Sequence, residues 1–229
     1  MSEKSNKQTH TDLENVQEVL TKSEQFIEKY QKQILIGLAV VVIAVSGSLA
    51  FKYAYLDPKE QKAEAAMFKA EIYFQQDSFK LALTGNGADF IGFEGVIDEY
   101  SITKTANVAM FYAGICHKNL GNFEKAIDYL KKFDSDDKML EPAALTAIGD
   151  CQVELGKLED AAQSFEHAAD VANNDLLTPI SLKKAGLVYE NLKNFDKAIE
   201  VYTRIKEKYS TSPEAGDIEK YIERAKLTK

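Results

Sequence analysis

The stretch 107–133, NVAMFYAGICHKNLGNFEKAIDYLKKF, decides the fold because its pattern of small and large residues recurs twice downstream. Ala126 is matched by Ala161 and Ala198, at spacings of 35 and 37 residues. Each alanine has a glycine twelve residues before it and a large apolar residue four residues after it. These neighbours are Gly114, Gly149 and Gly186, and Leu130, Phe165 and Tyr202. A period in the middle thirties with such a pattern is typical of stacked helix–turn–helix repeats.

Each repeat is predicted to contain two helices. The first helices are predicted over 107–119, 142–154 and 179–192, and the second over 123–133, 158–171 and 195–208. The glycine and the alanine lack bulk, so the two helix axes can approach closely while the large residue fills the space beside them. Gly121 and Gly156 stand where the end of a helix favours a left-handed residue, and Asn194 is expected to take that role in the third repeat.

These repeats resemble the tetratricopeptide repeat family. The resemblance implies an all-α solenoid whose first helices line a concave groove that accepts another protein or an extended peptide. The expected groove residues are Val108, Phe111, Ile115, Lys118, Asn119, Thr146, Asp150, Val153, Glu154, Lys183, Leu187, Glu190 and Asn191. Ile115 and Ala147 stand where the family's carboxylate clamp has asparagine, so that specialised activity is not expected.

The repeats are predicted to form one domain over 57–229, with units at about 60–101, 107–138, 142–174 and 179–211. The first repeat is degenerate. Phe79 and Ala82 take the offsets of Phe123 and Ala126, and a loop at 84–88 separates them from a helix that resumes at Asp89. A cap helix over 213–227 is expected to bury Ile218, Ile222 and Ala225 and to leave its other faces polar.

The four prolines, Pro58, Pro142, Pro179 and Pro213, are each predicted to open a helix. Three of them follow a capping candidate, namely Asp57, Thr178 and Ser212.

The segment 34–51, ILIGLAVVVIAVSGSLAF, has eighteen residues without a charge. With the interfacial tyrosines Tyr53 and Tyr55 it predicts a transmembrane helix over 34–55. A buried core helix and a cleaved signal peptide are the alternatives. The 33 preceding residues have no net positive charge, which favours an uncleaved anchor. Lysines flank the span on both sides, so their count does not decide its orientation.

Residues 1–11 are polar, which predicts a disordered tail. Residues 12–33 carry an apolar stripe that predicts a juxtamembrane amphipathic helix. This stripe suits a coiled coil, a helix on the membrane surface or a solvated extension of the span, and its few heptads favour the last. Its members are Leu13, Val16, Leu20, Ile27 and Tyr30.

The charge of the chain argues against nucleic acid as a partner. Residues 1–56 hold six lysines and six acidic residues, so 57–229 carry the whole net charge of −8. His10, His117 and His167 are scattered, and no catalytic, phosphate-binding or metal-binding motif is present. We therefore expect no enzyme, no cofactor and no small-molecule substrate. Cys116 and Cys151 occupy equivalent positions on neighbouring repeats, about 8–10 Å apart, too far for a disulfide.

The order of parts resembles the YfgM-like family, the membrane-anchored ancillary subunits of the bacterial Sec translocon. The shared features are a polar N-terminus, one span ending in an aromatic cluster, and about four repeats. The resemblance implies a single-pass inner-membrane protein with periplasmic repeats that assists secreted proteins or chaperones. The alternative function is a structural protein that organises the envelope by self-assembly through its repeats.

Overall fold

The computed structural model describes residues 29–87 and 89–228. These residues form helices joined by turns and loops, without a strand, which confirms the all-α prediction. The chain divides into two compact units, Met1–Asp57 and Pro58–Lys229. The expected tail 1–11 and the part 12–28 of the expected amphipathic helix lie outside the described residues.

In the first unit, residues 29–51 form helix α1, followed by the π-helical turn Lys52–Leu56. The helical run Lys29–Gln75 contains an eighteen-residue window with a mean hydropathy of 2.6, none of which is buried. One N-terminal helix is therefore long and apolar enough to cross a membrane. The absence of burial argues against a core helix, because a core helix would be covered by the rest of the protein.

The prediction that Asp57 and Pro58 open a new helix is wrong. Asp57 has right-handed helical angles (φ −62°, ψ −44°), and its N–H donates to the carbonyl oxygen of Lys52, five residues back. The backbone is thus already helical when it reaches Pro58. A π-helical turn is one of the distortions that helices adopt beside a proline, since proline cannot donate the next backbone hydrogen bond.

The second unit is a stack of helical hairpins. Its first part contains α2 (Asp57–Gln75), α3 (Phe79–Thr84) and α4 (Gly92–Glu99). Three hairpins follow: α5 (Lys104–Asn119) with α6 (Phe123–Lys132), α7 (Leu140–Glu154) with α8 (Leu158–Ala172), and α9 (Leu177–Asn191) with α10 (Phe195–Lys208). Helices α6 and α8 also pack against the first helix of the next hairpin, and α10 packs against α11. A 3₁₀ turn, Pro213–Asp217, and α11 (Ile218–Thr228) end the stack.

The predicted contact between small and large residues is confirmed in all three hairpins. Ala126, Ala161 and Ala198 are completely buried. A Cβ atom placed on Gly149 would lie 2.6 Å from the ring of Phe165, so α7 and α8 approach closely only because this position lacks a side chain. The equivalent pairs are Gly114 with Leu130 and Gly186 with Tyr202.

Helices α7 and α9 begin two residues before the predicted starts, because their caps lie further upstream. The Oδ1 atom of Asp137 accepts from the backbone N–H of Leu140 at 2.9 Å. The Oδ1 atom of Asn174 accepts from that of Leu177 at 2.8 Å. Asp137 and Asn174 are 37 residues apart, so the same cap recurs in successive repeats.

Pro142 and Pro179 lie in the first turns of α7 and α9 as third residues, where a missing N–H is still tolerated. Thr178 is not the cap of α9, since its buried hydroxyl donates to the carbonyl of Ala169. Ser212 is a cap as predicted, and its hydroxyl accepts from the N–H of Ala215.

Two loop predictions are corrected. Gly121 and Gly156 are left-handed as expected, but Lys193 (φ 58°) takes this role in the third repeat, and Asn194 instead caps α10. The helix expected from Asp89 begins at Gly92, because the side chain of Asn86 accepts from the N–H groups of Asp89 and Phe90 and holds them in a loop.

Candidate protein-binding groove

Two neighbouring clefts open along the first helices α5, α7 and α9. The larger has a volume of about 440 Å³, and the smaller about 190 Å³. Lys118 of α5 and Asp150 of α7 line both, so the clefts share a wall. The larger is lined by Lys118, Phe123, Asp150, Val153, Glu154, Phe165, Lys184, Leu187 and Val188. The smaller is lined by Phe111, Ile115, Lys118, Ala143, Thr146, Ala147, Asp150, Leu177, Ile180 and Ser181.

Many of the residues predicted to line the groove lie at these clefts. They are Phe111, Ile115, Lys118, Thr146, Asp150, Val153, Glu154 and Leu187. The remaining predicted residues line neither cleft: Val108, Asn119, Lys183, Glu190 and Asn191. Val108 packs against the buried cluster that contains Phe93 and Val96 of α4, and the side chain of Asn119 donates back to the carbonyl of Ile115 on its own helix.

Asp150 is the polar centre of the groove. Its carboxylate pairs with Lys118 of α5 at 3.5 Å and accepts a hydrogen bond from Lys184 of α9. One carboxylate thus bridges three repeats and faces two ammonium groups. The three side chains leave one positive charge in excess, while Glu154 is exposed one helical turn further along α7.

The floor of the larger cleft is apolar. Phe165 and Val188 are buried, and the ammonium of Lys184 lies 5.5 Å from the centre of the Phe165 ring. Leu187 remains 43% exposed at the same cleft. An apolar floor beside a partly neutralised pair of lysines offers both a hydrophobic contact and polar contacts to a bound segment.

The smaller cleft combines aromatic and hydroxyl groups. The Phe111 ring lies 5.5 Å from that of Phe133, centre to centre. The hydroxyl oxygens of Thr146 and Ser181 are 3.0 Å apart across α7 and α9. These two contacts join side chains in the wall of the cleft.

Two of the predicted groove residues in α9 form ion pairs with the C-terminal 3₁₀ turn and α11. Lys183 pairs with Asp217 at 2.7 Å. Glu190 pairs with Arg224 at 2.8 Å and accepts from the hydroxyl of Tyr202 at 3.0 Å. Burial and this hydrogen bond raise the pKa of Tyr202. Sequence reasoning did not foresee this engagement.

Sequence reasoning also missed several cleft residues, of which Lys184 is the most informative. Lys184 takes the offset in α9 that Ala147 takes in α7. Comparing that offset across all repeats would have revealed a lysine facing the groove. Phe165 and Phe123 were identified only as packing residues, but an edge of each also reaches the larger cleft.

His117, Cys116 and Cys151 are buried in the core. His117 lies 3.3 Å from the carboxylate of Glu94, which also accepts from the hydroxyl of Tyr129 at 3.2 Å. Burial, together with Glu94, raises the pKa of Tyr129 to about 12. Cys116 and Cys151 are free and buried, as predicted. Within residues 29–87 and 89–228, no three His, Cys, Asp or Glu side chains are grouped so that they could hold a metal ion.

Comparison with known proteins identifies the repeats. Residues 146–213 match one family model described as tetratricopeptide repeat, and residues 108–136 match another. Among solved structures, the chain is similar to a protein from Podosopora anserina described as a kinesin light chain with nearly identical TPR-like repeats. That match has 12% identity and a TM-score of 0.49, and covers 76% of this chain and 85% of that one. No curated protein matches. The two family matches show that this chain contains tetratricopeptide repeats.

Proposed function

We propose that this protein is a non-enzymatic scaffold whose tetratricopeptide groove holds an extended segment of another protein. The observation that carries the proposal is the pair of clefts joined at Lys118 and Asp150, across three successive first helices. Tetratricopeptide repeats bind proteins or peptides, and a groove with alternating apolar and polar contacts suits an extended segment. No cofactor, small-molecule substrate or nucleic acid is part of this function.

The larger cleft is the main binding position in this scheme. An apolar side chain of the partner would cover Leu187 and the edge of Phe165. Its backbone or a neighbouring polar side chain would then hydrogen-bond to Lys184 or Asp150, whose existing pair keeps both groups in place before binding. Such pre-organisation reduces the entropy that binding costs.

The second part of the proposal is a membrane anchor over 34–55, with the repeats on the periplasmic side of the inner membrane. The exposed apolar helix supports an anchor. The YfgM-like order of parts supports a role at the Sec translocon, where the groove would assist secreted proteins or periplasmic chaperones. This assignment rests on resemblance in architecture.

Affinity purification from crosslinked membranes tests the scaffold. Leu187→Asp places a charge in the larger cleft, while Leu120→Asp places one on a similarly exposed leucine at the C-terminal end of α5, outside both clefts. We expect the wild type and Leu120→Asp to recover the same partner and Leu187→Asp to lose it. Equal recovery by both variants would refute binding in the groove. An oligomer that Leu187→Asp alone disperses would instead indicate self-assembly.

Two measurements test the anchor. Protease added to spheroplasts should digest the repeats if they are periplasmic, whereas full protection would place them in the cytoplasm. The mass of the protein from the membrane fraction should include residues 1–57. A mass that begins after Ala50 would show that the apolar segment is a cleaved signal peptide.

A further inference from the structure

One large, exposed apolar side chain stands just before each of the three hairpins, and Met139 and Leu176 occupy the same position of successive repeats. Ile102, Met139 and Leu176 are spaced 37 and 37 residues apart, and they are 49%, 44% and 57% exposed. Met139 and Leu176 immediately precede α7 and α9, where helices prefer a polar capping residue. Single exposed apolar residues are common on protein surfaces, but one before each of three successive hairpins, two of them at the same position of the repeat, calls for an explanation.

The local structure of the helix starts does not explain why these three apolar side chains are exposed. An apolar residue before a helix can pack against its first turn as a hydrophobic staple. Such packing would bury the side chain, yet these three remain about half exposed. The caps of α7 and α9 are made by Asp137 and Asn174, so the helix starts do not depend on Met139 or Leu176.

The three side chains lie along one continuous edge of the repeat stack. The side chain of Asn107 donates to the carbonyl of Asp134 and accepts from its N–H, at 2.7 and 3.0 Å. The side chain of Asn174 donates to the carbonyl of Lys138 at 3.3 Å. These contacts join the first turn of α5 to the loop that precedes α7, and that loop to the loop that precedes α9. Neighbouring first helices are about 8–10 Å apart, so the row extends over about 16–20 Å.

This edge is also where the second unit begins. Glu60 accepts hydrogen bonds at 2.8 Å from the N–H groups of Lys104 and Thr105, and at 2.7 Å from the Thr105 hydroxyl. Glu60 follows Tyr55, the end of the proposed span, by five residues. A chain of that length reaches at most about 18 Å in any conformation. Ile102, two residues before Lys104, is therefore close to any membrane that the span crosses.

We propose that this edge rests on the lipid bilayer, with Ile102, Met139 and Leu176 inserted at the boundary between headgroups and acyl chains. The proposal rests on the membrane anchor of the proposed function. The anchor keeps the edge at a high effective concentration at the bilayer, so three shallow insertions suffice.

The charges beside the row indicate the kind of lipid. Asp134, Asp136, Asp137 and Asp175 are exposed on the loops before α7 and α9, against Lys138 on the same loops and Lys104 at the start of α5. An edge with this acidic excess is repelled by anionic headgroups, so the apolar contact is best met by zwitterionic lipids, for which phosphatidylcholine serves as the probe.

The test uses the full chain in phosphatidylcholine vesicles, with and without lipids that carry a quenching doxyl group on the acyl chain. Single cysteines at Ile102, Met139 and Leu176 receive an environment-sensitive fluorophore. The native Cys116 and Cys151 are buried and remain unlabelled in the folded protein. Leu120→Cys, at the opposite end of α5, is the matched control, and Tyr53→Cys reports on the span itself.

We expect the doxyl lipids to quench all three row positions and Tyr53→Cys, and to leave Leu120→Cys unquenched. Quenching at Ile102→Cys alone would refute the proposal, because proximity to the anchor explains that position without a membrane-bound edge. Quenching at Tyr53→Cys without any at Met139→Cys and Leu176→Cys would refute the edge and leave the anchor intact. If Tyr53→Cys is unquenched together with the three positions of the row, the proposed membrane anchor is also refuted.

Discussion

Gly149 of α7 faces the ring of Phe165 of α8, and this contact allows a quantitative prediction. A Cβ atom added at Gly149 would lie 2.6, 2.7 and 2.9 Å from three ring carbons, distances that real Cβ atoms essentially never show. The ring is only 2% exposed, and the ammonium of Lys184 lies over it at the larger cleft, so the ring cannot move without displacing its neighbours. Gly149→Ala therefore forces α7 and α8 apart or the ring out of its preferred rotamer.

Two opposing effects set the magnitude. In an exposed helix interior, replacing glycine by alanine stabilises the helix by about 1 kcal/mol. Overpacking a close-packed core costs about 1–3 kcal/mol. Because the contact falls on a ring and well under 3.0 Å, we expect Gly149→Ala to lower the free energy of unfolding by about 1–2 kcal/mol in total.

In a protein without the Phe165 ring, Gly149→Ala should raise the free energy of unfolding and not lower it. Phe165→Ala alone should cost about 3–5 kcal/mol. In that background the added methyl group enters free space, so Gly149→Ala should stabilise the protein by about 1 kcal/mol. The double-mutant cycle then gives a coupling energy of about 2–3 kcal/mol between the two positions.

Denaturant unfolding of the full chain in detergent micelles, followed by far-ultraviolet circular dichroism, measures all four proteins of the cycle. Gly216→Ala is the control, since a Cβ atom at that glycine meets nothing within 4 Å. It should stabilise the protein by about 0.4–1 kcal/mol, as an unhindered glycine-to-alanine change does. An effect of Gly149→Ala that is the same with and without the Phe165 ring would refute the close approach of α7 and α8.

Three further predictions concern ionisable groups. Burial raises the pKa of Glu60, but hydrogen bonds from the Thr105 hydroxyl and two backbone N–H groups outweigh it and hold this pKa below 4.5. The stabilisation by Glu60 is therefore present above about pH 4.5 and is lost as the pH falls through the lower pKa of the folded state. Glu60→Ala should lower the free energy of unfolding by about 1 kcal/mol at neutral pH and weaken its dependence on acid pH. An unchanged pH dependence would contradict this prediction. Burial raises the pKa of Cys116 to about 12 and of Cys151 to about 11, so both thiols should react with Ellman's reagent at neutral pH only after unfolding, and labelling of the native protein would oppose this. The pKa of Tyr129 is raised from 10.0 to about 12, so the stability that the neutral hydroxyl contributes below about pH 10 is lost as the pH rises through about 12. Tyr129→Phe should therefore unfold less readily in alkali than the wild type. Equal sensitivity of the two proteins to alkali would argue against this prediction.

The repeat register could be predicted from the sequence because it follows from packing alone. A glycine, an alanine and a large side chain must meet wherever two helices approach closely, and their recurrence in three repeats left little ambiguity. The buried Ala161 and the contact of Gly186 with Tyr202 confirm this reasoning. Free buried cysteines followed from the same register.

Local rules failed where a neighbouring turn or a distant segment decides the conformation. Asp57 has the features of a cap, but the π-helical turn before it keeps the backbone helical. Thr178 precedes a proline, yet the cap of α9 comes from Asn174. Lys183 lies at an offset that faces the groove, but Asp217, 34 residues later in sequence, pairs with it. Single-sequence patterns hold no information on such long-range partners.

Site-specific photocrosslinking in intact cells tests the central claim, that the groove of the first helices is the binding surface, most directly. A photoreactive amino acid at Leu187 would stand in the larger cleft, and one at Lys125 would stand on the exposed face of α6, outside both clefts. We predict that irradiation crosslinks a protein partner at Leu187 and none at Lys125. A partner crosslinked only at Lys125, or equally at both positions, would contradict the account.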